Sequence, residues 1–400
     1  MKNFDIVIIG GGIVGLSVAY QTSKTYPELK VAVLEKEKQV AQHQTGNNSG
    51  VIHSGIYYKP GSHKAINCRN GYRSLIDFCD ENEVDYEICG KIIVTTKPSE
   101  KQSFENIFNR GLENGLVGIK KISSDEAKEM EPHVKCLEAI WVPQTGIIDY
   151  KKVTEKYLEL FIHQNGTFFS GAKVNKIIQE KGHCIVGTEA DEFRCKIVVN
   201  CAGLYSDKVT KMSGSALEDI MIIPFRGEYY ELKESKRYLV KNLIYPVPNP
   251  DFPFLGVHFT RMISGAVEAG PNAVLAFRRE GYKRWDIHLK ELYEILIFPG
   301  FKKIASKYWD EGWMEMKRSF SKKLFVEAMQ ELLPEITGED VYRSGAGVRA
   351  QACDATGGLL DDFRIVDSEH IINVCNAPSP AATSSLAIGE SILNIIKTKL

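Results

Sequence analysis

The chain has 400 residues, 44% of them hydrophobic, with a formal net charge of -1. That length exceeds what one hydrophobic core usually serves, so two domains are expected, and the near-neutral charge gives no electrostatic reason to expect nucleic acid as a partner. No apolar run reaches the roughly 18 residues that span a bilayer, the chain enters a strand without a signal peptide, and the 9 cysteines are scattered with no C-x-x-C pair. The expectation is therefore a cytoplasmic protein with reduced thiols and no metal site, and peripheral membrane contact stays open.

The first element organises the rest. Ile6 to Ile9 is apolar and β-branched without alternation, as in a strand buried on both faces of a parallel sheet. Gly10, Gly12 and Gly15 follow as G-x-G-x-x-G, which gives a tight turn, close approach to a pyrophosphate and tight helix packing. A small-residue helix comes next, and its N-terminus suits phosphate. Val31 to Leu34 is a second buried strand, and Glu35 stands at its end, where a carboxylate can take ribose hydroxyls and disfavours the 2′-phosphate of NADP.

Gln39 to Tyr58 is a long polar loop, of a length that is usually functional in a compact domain. A helix is predicted over 62–80, a strand over 91–96, a helix over 99–114 and a capping box at Ser123 and Glu126. Short extended pieces follow at 139–142 and 146–149, a helix at 150–165, strands at 173–179 and 183–188, and a buried strand, KIVVNCAG, at 196–203. Residues 222–280 are short strand runs broken by Pro and Gly, including FPFLGVHFT, and suggest an antiparallel sheet on which a substrate could lie. Residues 286–333 read as helices, with Trp285, Tyr293, Trp309, Trp313 and Phe325 expected in cores or packing surfaces. VYRSGAGVRAQACD is expected to return to the active site, and 384–399 reads as a C-terminal helix packed on the core.

The loop T-G-x-N-S-G-V-I-H-x-G from Thr45, coming after the fingerprint, resembles the FAD-dependent oxidoreductases of the D-amino-acid-oxidase superfamily, in which such a segment runs along the flavin. PFRGEYYEL, YPVPNP, FPFLGVHFTR, GPNAVLAF, GVRAQACD and NAPSPAATSSLAIGE narrow the resemblance to the family of L-2-hydroxyglutarate dehydrogenases and oxidases. The resemblance implies an α/β protein. A Rossmann-like FAD-binding domain of glutathione-reductase type would comprise 1–90, 150–215 and 340–400, and a second α+β substrate domain, 91–149 and 216–339, would be built on an antiparallel sheet. It implies FAD as cofactor, a small dicarboxylate substrate and a quinone or oxygen as electron acceptor. FAD contacts are expected from Gly10, Gly12, Gly15, Glu35, Thr45, Asn48, Ser49, Gly50, Val174, Ala202, Gly203, Gly347, Ser379 and Ala381.

Oxidising a 2-hydroxy acid needs a base, a carboxylate clamp and a means of stabilising the reduced flavin. His258, on the substrate sheet, is the favoured base, and His53, in the flavin-facing loop, is the other candidate. Arg349, between small neighbours, is the favoured carboxylate fork. Arg261 is assigned the second carboxylate or a surface salt bridge, Tyr58 a substrate contact, and Arg278 and Arg279 are read as solvated charges. NAPSPAA precedes a helix whose N-terminus could face the reduced flavin. The rival readings are an amine or amino-acid oxidase of the same superfamily, a flavin-binding subunit without activity, and an NAD-dependent dehydrogenase.

Overall fold

The computed structural model describes residues 1–214, 220–249 and 255–400. One body is a six-stranded sheet in the order Thr167–Phe169, Val31–Leu34, Ile6–Ile9, Ile197–Asn200, Ile371–Asn376 and Arg364–Asp367, parallel except for the last strand. Every residue of Ile6–Ile9 is buried because the strand is central and covered on both sides, which explains its lack of alternation. Helices Ile13–Thr25, Tyr150–His163 and Ser385–Lys397 pack together on one face, and His63–Glu81 packs against the last of them. A small sheet, Lys2–Asn3, Glu192–Cys195, His183–Gly187 and Lys176–Glu180, covers the other face through Val186, Phe193 and Cys195. The strands Thr167–Phe169 and Glu192–Cys195 are additions to the sequence reading, each too short to give a clear period.

The other body is a nine-stranded sheet. Its order is Val274–Leu275, Ile220–Leu232, Val267–Gly270, His258–Arg261, Leu243–Pro246, Lys91–Thr95, Glu138–Val142 and Lys120–Ser123, with Val341–Asp354 also paired to Ile220–Leu232. The sheet is antiparallel apart from one parallel join, between Leu243–Pro246 and Lys91–Thr95, where the two insertions meet. Tyr230, Phe259, Phe325 and Met329 form the core beneath it. Of the run expected around FPFLGVHFT, residues 252–254 lie outside the described residues, as does the expected boundary at 215–216.

Four expectations are corrected. Val341–Asp354 belongs to the nine-stranded sheet and not to the nucleotide-binding body, because it pairs along Ile220–Leu232 for nearly its whole length. That partner satisfies its backbone groups, and the chain rejoins the first sheet at Arg364. Trp285, Tyr293, Trp309 and Trp313 are 53% to 78% exposed, and of the five aromatics Phe325 alone is core. Arg279 is 2% exposed and forms a two-pronged ion pair with Asp207 at 2.6 and 2.7 Å. The fourth is the substrate assignment of Arg261, whose alternative, a surface salt bridge, is the one found and is described with the site.

Candidate active site

The first body ends in a cradle. Gly10 has φ +115, and a Cβ there would lie 2.4 Å from the Cys201 carbonyl oxygen, so the turn after the first strand requires glycine. Gly15 lets the helix Ile13–Thr25 close on that turn, and Gly12 begins the helix without a side-chain cap of its own. The Thr45 hydroxyl accepts from the Ile13 N–H at 3.1 Å and is the one neighbour a Cβ on Gly12 would meet. Space thus remains before a helix N-terminus for a phosphate.

Glu35 lies at the edge of the cradle. Its carboxylate accepts from the N–H groups of Gly11 at 2.7 Å and Glu37 at 2.8 Å, leaving lone pairs for ribose hydroxyls. The Glu35 carbonyl accepts from Ala172, which draws the segment holding Val174 over the acid, although the Val174 side chain itself is buried between the two sheets. Ala202 donates to the Asn200 side chain at 3.1 Å, and Gly203 lies against the Gln44 amide. An open helix end, an acid placed for ribose and small residues on either side fit FAD.

The polar loop joins this cradle to the second body. Asn48 uses its side chain on the loop itself, donating to the carbonyls of Gln44 and Thr45 and accepting from Gly50, so it shapes the loop that also holds half-buried Ser49. At Gly347 a Cβ would lie 2.4 Å from the Asn47 carbonyl oxygen, and three residues on, Ala350 donates to Gln44 at 3.1 Å. The strand carrying Arg349 therefore crosses the loop in backbone contact. His53 donates from its N–H to the Thr383 hydroxyl at 3.1 Å, and Ser379 lies 3.5 Å from His53 Nε2. The turn containing Ser379 and Ala381 thus closes on the loop just before the helix Ser385–Lys397.

His258 is 6% exposed and lies on the ring of Tyr245. Its Nδ1 donates to the Gly256 carbonyl at 2.9 Å, which leaves the lone pair on Nε2. Burial lowers its pKa to about 3, against the Gly256 hydrogen bond and with help from the positive charges of Arg349 and Lys91. His53 is lowered to about 3 by burial, then by Lys91, His258 and Lys64. Burial also lowers Arg349, opposed by Tyr229 and Glu315. Tyr58 is raised well above its ordinary value by burial, and its ring lies under the Lys64 ammonium at 5.1 Å. His53, His258, Arg349 and Tyr58 are therefore brought to one region.

Arg261 is not brought there. It lies three residues past His258 on the same strand, so alternation turns it to the opposite face. Its cross-strand partner is Val267, on the side of the Phe259 and Ala269 core. Its guanidinium donates to Glu87 at 2.5 Å and to the Lys241 carbonyl at 2.7 Å. His43 joins a charge network with Lys36, Glu37 and Glu280. The residue that the sequence reading missed is Lys91, which is 1% exposed and spans the rings of Tyr57 at 4.6 Å and Tyr245 at 4.7 Å. A lysine opening an apolar strand looks like a solvent-facing end, and the parallel join buries it instead.

The model of the FAD dependent oxidoreductase family matches residues 5–394. The chain is 56% identical to L-2-hydroxyglutarate dehydrogenase of Indibacter alkaliphilus over 98% of both chains. It is 43% identical to the mitochondrial L-2-hydroxyglutarate dehydrogenase of Homo sapiens, covering 100% of this chain and 89% of that one. Among solved structures it resembles FAD-bound L-alpha-glycerophosphate oxidase from Mycoplasma pneumoniae, with TM-score 0.81 at 21% identity over 99% and 95% of the two chains, a likeness of fold. A match running nearly end to end, over a structure whose glycine turn and acid fit FAD, establishes that the chain belongs to the DAO family of FAD-dependent oxidoreductases, among its L-2-hydroxyglutarate dehydrogenases.

Proposed function

We propose that this protein oxidises L-2-hydroxyglutarate to 2-oxoglutarate and delivers the electrons to a quinone at a membrane surface. The observation that carries the substrate reading is that His258 and Lys91 share the ring of Tyr245, with Arg349 on a strand of the same sheet. The pKa values of both His53 and His258 are lowered by burial and by the charge of Lys91. Two cations and two neutral imidazoles suit a dianion whose hydroxyl must lose a proton. FAD, when bound, accepts the hydride from Cα. His258 takes the hydroxyl proton on Nε2, Arg349 binds the carboxylate beside the reacting carbon, and His53 contacts the flavin or the substrate. The relatives' names support the same substrate.

The acceptor reading rests on the helical region. An apolar cavity of about 280 Å³ is lined by Phe225, Leu275, Ile304, Tyr308, Trp309 and Trp313. Phe225 is the cross-strand partner of Arg349, so the cavity adjoins the substrate sheet. Trp309 and Trp313 are themselves exposed, as are Leu289 and Tyr293 on the neighbouring helix Leu289–Ile297. Residues 283–323 hold ten Lys or Arg against six Asp or Glu. Amphipathic aromatics with an excess of cations suit an anionic lipid surface, and the cavity suits an apolar quinone. No described helix is long and apolar enough to cross a membrane, and the reading is of a peripheral contact.

The test is anaerobic rapid mixing with L- and D-2-hydroxyglutarate, followed by the absorbance of oxidised flavin near about 450 nm. Bleaching by the L form alone is expected. No bleaching by either form, with FAD bound, overturns the reading in favour of an amine or amino-acid oxidase or a subunit without activity. Reoxidation by a quinone analogue, faster than by oxygen, supports the acceptor reading, and the reverse order overturns it.

A further inference from the structure

Lys91 is one of the two cations counted above but no step has been assigned to it, and a buried lysine is costly to keep unless something answers its charge. It opens the strand Lys91–Thr95, where the two insertions join in parallel. Among the described residues no Asp or Glu forms an ion pair with its ammonium. Its neighbours are the faces of Tyr57 and Tyr245, and Tyr245 in turn carries His258. The Tyr57 hydroxyl is also buried without a hydrogen-bond partner among the described residues. One cation and one hydroxyl thus stand together at the base, both without a protein acceptor, and a carboxylate oxygen answers both.

Arg349 and Lys91 flank His258 from opposite directions along the one sheet. Arg349 lies on Val341–Asp354, three strands from His258–Arg261, and Lys91 lies two strands away in the other direction. Arg349 is on the strand that touches the flavin-facing loop at Gly347, so its planar fork is the group beside the reacting carbon. The other carboxylate of a five-carbon diacid then extends past His258 toward Lys91. We infer that Lys91, with the Tyr57 hydroxyl, binds the distal carboxylate of the substrate and makes the site selective for dicarboxylates over monocarboxylates. This deepens the proposed function and rests on its placing of substrate between Arg349 and His258.

Binding of glutarate and of butyrate to the FAD-loaded protein, read from perturbation of the flavin spectrum, decides the assignment without turnover. Lys91→Met, which keeps the length of the side chain and removes its charge, should weaken glutarate about 100-fold and shift butyrate less than about threefold. Lys91→Arg should restore much of the glutarate affinity. In turnover, Lys91→Met should raise KM for L-2-hydroxyglutarate and leave kcat within about threefold.

Unchanged glutarate binding in Lys91→Met overturns the inference. So does an equal loss of both ligands, or a Lys91→Arg protein that retains FAD and behaves like Lys91→Met. If wild type binds glutarate but does not oxidise L-2-hydroxyglutarate, the functional reading fails while the binding comparison still decides the role of Lys91.

Discussion

The imidazole of His258 rests on the ring of Tyr245, with centroids 4.0 Å apart and planes at 34°. With Nδ1 fixed to the Gly256 carbonyl, the stack holds the ring with Nε2 available to a ligand. His258→Asn should therefore lower the rate of flavin reduction by about 10²- to 10⁴-fold while FAD remains bound. Rapid mixing measures the rate, and the visible spectrum reports retention of the flavin. An unchanged rate would transfer the base role to His53.

The lowered constants of the two histidines set the acid side of the pH profile. Both lie at about 3, so both stay neutral above that value, and kcat/KM should show no acid limb near the ordinary histidine value of 6.5. Lys91 is lowered by burial to about 7 and is charged below that value, so kcat/KM for the diacid should fall as pH rises past 7. L-2-hydroxyvalerate, with a neutral tail, should lack that alkaline fall. The same histidines govern acid stability. The unfolded chain takes up protons near 6.5 and the folded chain near 3, so their contribution is complete above pH 6.5 and is lost as pH falls from 6.5 toward 3. The melting temperature should decline across that window.

Arg349→Ala should raise KM for dicarboxylates sharply and leave FAD bound, because the guanidinium lies on the substrate sheet and not in the nucleotide cradle. Steady-state kinetics with a flavin-to-protein ratio checks both halves. An unchanged KM removes Arg349 from the clamp.

Much of the cradle was legible because its parts are close in sequence: the glycines, the helix and Glu35 act within one βαβ unit. Residues such as His258 and Arg349 stood out through unusual local neighbours. What was not legible depends on pairing between distant segments. Arg261 stood between the second carboxylate and a surface salt bridge until the strand register put it on the other face, bonded to Glu87. Lys91 drew no reading of its own beyond opening a strand, because the rings of Tyr57 and Tyr245 that cover it are distant in sequence. Arg279 looked like a surface charge because Asp207 is 72 residues away in sequence.

The Asp207 and Arg279 pair joins the helix Ser206–Met212 to the region beside the substrate sheet, and Asp207 also accepts from the Ile222 N–H at 3.1 Å. Asp207→Ala leaves a buried guanidinium without its counter-charge and a strand N–H without its acceptor. It should cost about 3–5 kcal/mol, read from denaturant unfolding of the FAD-loaded protein. A loss below about 1 kcal/mol would show that water or rearrangement replaces the pair.

The exposed aromatics of the helical region give a prediction independent of catalysis. Trp309→Glu combined with Trp313→Glu should abolish co-sedimentation with vesicles containing anionic phospholipid, and flavin reduction by substrate should stay within about twofold of wild type. Equal sedimentation of variant and wild type would remove this face from membrane contact.

The crossing of Gly347 over Asn47 has a consequence for how such proteins diversify. The base His258 and the cations Arg349 and Lys91 hang from strands of one sheet, while the groups that fit the nucleotide belong to the other body, and the two meet where backbone touches backbone. Side chains on the substrate wall can then be exchanged generation after generation without disturbing the cradle. The glycine at the seam is not free to vary in the same way, since a Cβ there would meet the Asn47 carbonyl oxygen at 2.4 Å and push the wall away from the loop.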